Sequence, residues 1–345
     1  MKSKTVNIPK LLEKYQIAGL SMATIEGAAI KRTEFFGFLE IGSNRKVESN
    51  SIFNACSISK FFTSILVMIL AEKDILDLDK DINENLSSWK VPVKPSHRFI
   101  TLRHLLSHQS GVVDPEGSFD VLNPLLGTPT MIEIVKGKTS YCHVPIQLKY
   151  EPGSEFHYSD AGYCIIQLLI EEITGKSFEA VMNDYLFQPL HLNNSTFELP
   201  ENKHQFACGH SKRGESIKGR FPIYPYPAAS GLWTTPTEVA RLVIEIMKAL
   251  KGESKCLSAD IAQELMKSQG GKEWMGLGVF LDKPEKGIEI SSLGWGVGFQ
   301  CMVVAYPYKE TGLVIMINTD PGVHQLKGII GEVYRSYNSE SSLLS

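Results

Sequence analysis

The sequence predicts a mixed α/β fold, an α+β sandwich whose mainly antiparallel sheet is built from both termini and carries an inserted helical lobe. Three observations predict it. Alternating apolar and polar positions, punctuated by glycine, fill the first fifty residues and return after Gly276. Apolar helical periodicity occupies the middle of the chain. Hydrophobic residues make up 43% and charged residues 21%, enough apolar surface for a large core and too much for a disordered chain. At 345 residues the chain exceeds the usual size of one compact core. One unit over 15–335 is expected, with an α/β lobe from 1–56 and 226–345 and a helical lobe from 57–225.

Residues 19–25 and 28–36 read as strands turning at Glu26-Gly27. Residues 59–76 are a long helical pattern, followed by helical stretches at 100–106 and 162–174, the latter closed by Gly175 as a C′ glycine. Helix continues over 177–186 until Pro189. Residues 209–227, rich in Gly, Pro, Lys and Arg, read as a surface loop. Thr235 and Pro236 mark the start of a helix over 236–250. Strands are expected at 276–281, 299–306 and 312–318, then a helix over 323–337. No internal repeat is present.

Charge and targeting signals exclude several partner classes. With 35 Lys+Arg against 38 Asp+Glu, a net charge of -3 gives no electrostatic reason to expect nucleic acid or an acidic membrane surface. The N-terminal residues lack the apolar stretch of about 7–15 residues that a secretory signal needs. The run Ile65-Leu66-Val67-Met68-Ile69-Leu70 is far short of the roughly 18 residues that cross a bilayer, so a cytoplasmic chain without membrane partner is expected. Six cysteines, Cys56, Cys142, Cys164, Cys208, Cys256 and Cys301, have no C-x-x-C spacing and read as free thiols.

Chemistry can begin at Asn54-Ala55-Cys56-Ser57-Ile58-Ser59-Lys60. Ser57 and Lys60 lie one turn apart on one face of an apolar helix. A serine hydroxyl needs a base to become a nucleophile, and burial can lower a lysine's pKa enough to serve. The helix N-terminus offers a backbone N–H to a developing oxyanion. The bland alternative for this spacing is a helix cap followed by a solvated lysine.

The wider sequence resembles the serine β-lactamase-like and penicillin-binding-protein-like family, especially its class C β-lactamase, D-aminopeptidase and family VIII esterase branches. The resemblance runs from about Tyr15 to Tyr334. It is carried by Gly19-Leu20-Ser21-Met22-Ala23, Ser57-Ile58-Ser59-Lys60, Leu76-Asp77-Leu78-Asp79, the segment Ile100 to Gly111, and Glu151-Pro152-Gly153. Further along stand Tyr158-Ser159-Asp160, Gly175-Lys176-Ser177-Phe178 and Ala229-Ser230-Gly231-Leu232-Trp233. It implies a β-lactamase/transpeptidase-like fold with Ser57 as nucleophile and Lys60 and Tyr158 beside it. Either Lys60 or Tyr158 is then the base, and an ammonium beside a phenolate stabilises both charges near neutral pH.

Two positions depart from the family pattern. Asp160 stands where an asparagine is usual; a carboxylate can only accept hydrogen bonds, and its charge favours protonated Lys60 and shifts the base role toward Tyr158. Unless its surroundings keep it neutral, Asp160 also repels anions. Ser292-Leu293-Gly294 stands where Lys-Thr-Gly or His-x-Gly is usual, leaving small groups and backbone, with the Trp295 N–H as second oxyanion donor beside that of Ser57. Asp160, Ser292, Leu293 and Gly294 are the expected substrate-binding positions. Losing a charge-assisted contact to a carboxylate costs roughly 1.5–3 kcal/mol. β-Lactams and D-Ala-D-Ala ends are therefore expected to be handled poorly, and neutral or cationic esters and amides better.

Other motifs carry less. His104 and His108 have i, i+4 spacing but no following glutamate, and read as structural. No G-x-S-x-G elbow exists, the Gly294–Gly298 glycines lack a dinucleotide context, and Cys56 reads as a buried thiol. The expected function is a serine hydrolase acting through a Ser57 acyl-enzyme on a small ester, amide or peptide, with no metal and no organic cofactor. The alternatives are a D-amino-acid-specific peptidase or weak β-lactamase and, in another class, a catalytically degenerate binder or sensor.

Overall fold

Residues 6–94, 99–283 and 287–341 are described by the computed structural model; the ends of the expected α/β lobe, 1–5 and 342–345, lie outside them. Asn7 caps α1 (Ile8–Tyr15), its side chain accepting from the Lys10 N–H at 3.1 Å. The hairpin β1 (Gly19–Glu26) and β2 (Ala29–Gly37) turns at Gly27-Ala28, one residue later than expected, because both turn residues adopt positive φ.

β3 (Phe53–Asn54) leads into α2 (Ile58–Glu72), in which every residue from Ile58 to Leu70 is buried. A helix apolar all round belongs at the centre of a lobe. It stops four residues short of the expected end: Asp74 takes a left-handed φ of 55°, and the Ile75 and Leu76 N–H groups turn back onto Leu70 O. The same core takes in α3 (Leu102–Leu106), α4 (Met131–Val135), α5 (Asp160–Thr174) and α6 (Phe178–Met182). Gly175 ends α5 in the left-handed conformation, and α6 runs on into a π-helical turn, Asn183–Phe187.

The chain then returns to the sheet side. The expected surface loop at 209–227 is exposed mainly over 211–220, whereas Tyr224 and Tyr226 are buried. β4 (Trp233–Thr234) pairs with β3, and Thr235 caps α7 (Pro236–Leu250). After α8 (Ala259–Leu265) come β5 (Phe280–Asp282), β6 (Glu289–Gly296), β7 (Phe299–Tyr306) and β8 (Thr311–Ile317). β6 has no counterpart among the expected strands, since its Ser-Ser-Leu-Gly-Trp-Gly run is poor in strand formers. β5 is shorter than expected, and α9 (Ile329–Ser341) begins six residues late, after a 3₁₀ turn at Gln325–Lys327.

Six strands form one antiparallel sheet in the order β2-β1-β8-β7-β6-β5, so the first hairpin joins the last strands edge to edge. One sheet face packs Leu20, Met22, Leu313, Ile315 and Met302 against Ile8 and Leu11 of α1 and Ile329, Ile330 and Val333 of α9. The other packs Ala23, Val303, Val314 and Met316 into the larger core shared with α2, α5 and α7. Among the described residues no helix is long and apolar enough to cross a membrane.

Candidate active site

The site is built on the turn between β3 and α2. Cys56 holds a positive φ of 47°, a strained conformation for a side chain other than glycine. Asn54 and Ser59 fasten it: Asn54 Oδ1 accepts from Cys56 N at 2.9 Å, and Ser59 Oγ donates to Cys56 O at 2.6 Å. Ser59 Oγ in turn accepts from the N–H groups of Gly231 and Leu232, each at 3.1 Å. The segment before β4 thus braces the foot of α2. Ser57 stands at the N-cap position, yet its hydroxyl makes no capping bond.

Lys60 is the opposite of solvated, with 3% of its side chain exposed. Its ammonium donates to Ser57 Oγ at 3.3 Å, Asp160 Oδ1 at 2.5 Å and Ala229 O at 2.9 Å. Burial pulls its pKa down, but the charges of Asp160 and then Tyr158 outweigh this and hold it above the ordinary lysine value. Lys60 Nζ also lies 4.9 Å from the centre of the Tyr158 ring.

Tyr158 is 43% exposed over the residue as a whole, while its hydroxyl lies within hydrogen-bonding reach of Ser57 and Lys60. Burial raises its pKa, Lys60 pulls it back and Asp160 pushes it up again, leaving it above the ordinary tyrosine value. A resting phenolate near neutral pH, expected from the ammonium alone, is therefore opposed by burial and by Asp160. Behind the ring stacks His108, centroids 4.3 Å apart. Its Nδ1 accepts from the Ser159 N–H at 3.1 Å, and burial followed by the charge of Lys60 holds its pKa well below the usual histidine value. The ring is neutral, which the acceptor role at Nδ1 assigns to the Nε2–H tautomer.

Asp114, to which no motif points, organises the start of α5. One of its oxygens accepts from Ser159 Oγ at 2.7 Å and Ala161 N at 2.9 Å, the other from Asp160 N at 3.0 Å. Burial and then the charge of Asp160 raise its pKa, against the pull of these donors. Asp114 positions Asp160, and Asp160 positions Lys60.

β6 supplies the far wall. A Cβ on Gly294 would lie 2.4 Å from Ala55 O, and one on Gly296 2.8 Å from Cys56 Sγ, so glycine lets the strand press against the turn that carries Ser57. Gly296 and Phe299 close the two-residue turn Val297-Gly298, and the closing pair of such a hairpin is hydrogen-bonded. The next pair, Trp295 and Gln300, is then not, which turns the Trp295 N–H away from β7. β5 pairs with β6 only at residues 289–291, so that edge stays open. Among the described residues none accepts from the Ser57 N–H either. Ser292 is buried without reaching Lys60 or Ser57, and Leu293 packs on the α1 and α9 face of the sheet. Of the expected third-motif positions, Gly294 alone lies against the turn that carries Ser57.

Between these walls opens a cleft of about 320 Å³, lined among others by Ser57, Asp120, Asp160, Tyr226, Trp295 and Asp320. Tyr224 closes one side, its hydroxyl accepting from the Val297 N–H at 2.9 Å. Among the described residues no group of three or more His, Cys, Asp or Glu could hold a metal ion. His104 turns to Thr101 instead, its Nδ1 lying 3.0 Å from Thr101 Oγ1. All six cysteines are free, five of them buried, Cys56 included.

A serine, a buried lysine and a tyrosine gathered at the foot of an apolar helix, beside two open backbone N–H groups, are the parts of an acyl-transfer site. The chain belongs to the Beta-lactamase family, a family of serine hydrolases, whose model it matches over residues 7–329. It is 23% identical to penicillin-binding protein 4* of Bacillus subtilis (strain 168), covering 92% of this chain and 72% of that one. It is 24% identical to protein flp of Staphylococcus aureus (strain N315) over 66% of this chain, and that match spans only 43% of flp's length. The fold is similar to that of an octameric penicillin-binding protein homologue from Pyrococcus abyssi, with a TM-score of 0.75 and 20% identity over 91% of this chain and 72% of that one. D-alanine carboxypeptidase AmpC from Burkholderia cenocepacia gives a TM-score of 0.74 at 17% identity, with 96% of each chain covered.

Proposed function

We propose that this protein is a serine hydrolase that works through an acyl-enzyme on Ser57 and takes small, neutral or cationic esters or amides. The observation that carries the reading is the 3.3 Å contact between Ser57 Oγ and a lysine buried to 3% exposure. All three ammonium protons of Lys60 already have acceptors, which favours Lys60 as a fixed cation and Tyr158 as the base.

In this reading Ser57 passes its proton to the Tyr158 oxygen as Oγ attacks the substrate carbonyl. Lys60 stabilises the phenolate from which that transfer starts. The N–H groups of Ser57 and Trp295 receive the oxyanion. The C–O or C–N bond then breaks, and the proton on Tyr158 goes to the leaving alkoxide or amine. Water repeats the sequence on the acyl-enzyme, releasing the acid and restoring Ser57. Asp120 and Asp320 along the cleft disfavour a substrate carboxylate, the charge of Asp160 being offset by Lys60.

Intact-protein mass after exposure to a neutral fluorophosphonate tests the reading. One adduct on the wild type and none on Ser57→Ala is the expected result. No adduct on either protein overturns the acyl-enzyme and leaves a binding or sensing cleft.

A further inference from the structure

We propose that the cleft selects substrates bearing an ammonium group, held by Asp320 and the indole of Trp295. The inference rests on the acyl-transfer reading, because Ser57 is what brings a substrate into this cleft. Asp320 follows β8, and its carboxylate is fixed: Oδ1 accepts from Trp295 Nε1 at 2.9 Å and from Gly322 N at 2.9 Å. A simple turn accounts for the Gly322 bond. It does not account for a carboxylate clamped by an indole inside the cleft that holds the nucleophile.

Both donors use the same oxygen. Among the described residues none donates to Asp320 Oδ2, and Asp320 enters no ion pair, although the stem of Lys212 runs close to Gly322. Trp295 stays 44% exposed with its N–H already engaged, so what it offers a ligand is the π system, which attracts cations. No arginine or lysine is among the described residues that line the cleft, whereas Asp120, Asp160 and Asp320 are. Lys60 beneath it is paired with Asp160, which offsets both charges and leaves Asp120 and Asp320 as the uncompensated ones among the described lining residues. A cleft lined by one sign of charge concentrates ligands of the other. An ammonium meets a directed acceptor at Asp320 Oδ2 and an aromatic surface beside it; a carboxylate in that place meets only like charge.

The test compares acetylthiocholine with 3,3-dimethylbutyl thioacetate, its uncharged carbon isostere. A second arm compares alanine p-nitroanilide with the N-acetylated compound, which moves the ammonium from the leaving group to the acyl side of the scissile bond. A kcat/KM at least tenfold higher for the cation in either pair is expected. Asp320→Asn should shrink that preference at least fivefold, and Asp320→Glu should retain it. Equal rates within both pairs, or a preference untouched by Asp320→Asn, overturn the proposal while fluorophosphonate labelling of Ser57 leaves the hydrolase reading standing.

A second measurement needs no turnover. Quenching of Trp295 emission, taken as wild type minus Trp295→Phe, is compared for N-methylpyridinium and neutral acrylamide. Stronger cationic quenching that Asp320→Asn abolishes supports the site, and equal quenching overturns it.

Discussion

Lys60 donates to Asp160, Ala229 and Ser57 and also has Tyr158 within hydrogen-bonding reach, so its three ammonium protons face more acceptors than they can serve. Asp160 raises the pKa of Lys60 and also that of Tyr158. Whichever group serves as base, it stays protonated through the neutral range, and kcat/KM should climb about tenfold per pH unit into alkaline solution. Asp160→Asn removes the charge that raises both values and should move the ascending limb to lower pH. Profiles of kcat/KM from pH 6 to 10 check this, and an unmoved limb contradicts it. His108 bears on stability instead. Its folded pKa lies below its unfolded one, so its contribution is complete above the unfolded value of about 6.5 and is lost as pH falls toward the folded one. The slope is about 1.4 kcal/mol per pH unit for one proton. Asparagine tolerates the left-handed φ of 56° at this position and can accept from Ser159 N. His108→Asn should flatten the fall in urea midpoint between pH 6.5 and 5; an unchanged slope assigns the proton elsewhere, His210 being the other buried histidine among the described residues.

Elements differ in how plainly they could be foreseen, and the reason is the range of their causes. Thr235-Pro236 announces α7 and Gly175 closes α5 through bonds made within a few residues, so local pattern suffices. Ser57 and Lys60 meet because a helix turns once between them. Asp114 and Asp160 are 46 residues apart, and Trp295 and Asp320 are 25 apart on different elements, with no periodicity linking them. β6 stayed hidden because what makes it a strand is its neighbour β7 and its fit against Ala55. That fit is testable. Gly294→Ala places a methyl group against the carbonyl of Ala55, which is backbone and has little room to yield. Overpacking of this kind costs about 1–3 kcal/mol. The Ser57 and Trp295 N–H groups should separate, lowering the rate of fluorophosphonate labelling by more than tenfold, beyond what the lower melting temperature explains. Labelling at the wild-type rate would show that the two walls need not touch.

The whole molecule is a sheet closed by its own ends. Strands from the first hairpin and the last third of the chain are the part of the architecture most plainly written in the sequence, since alternation appears at both ends and nowhere long between. Helices between them bury α2, and the cleft opens where that lobe meets β6. This layout imposes an order on the protein's birth. A nascent chain can complete α2 and α5 and bring Ser57, Lys60 and Tyr158 together while β6 is still unsynthesised. Until then the Trp295 N–H proposed to receive the oxyanion is missing, and β1 and β2 form an isolated hairpin, a structure of marginal stability in water. Emergence of β8 gives β1 its partner at the same stage that β6 reaches Ala55. If Ser57 is the nucleophile, its neighbours are in place before its second oxyanion donor, so activity is expected only once β6 has emerged.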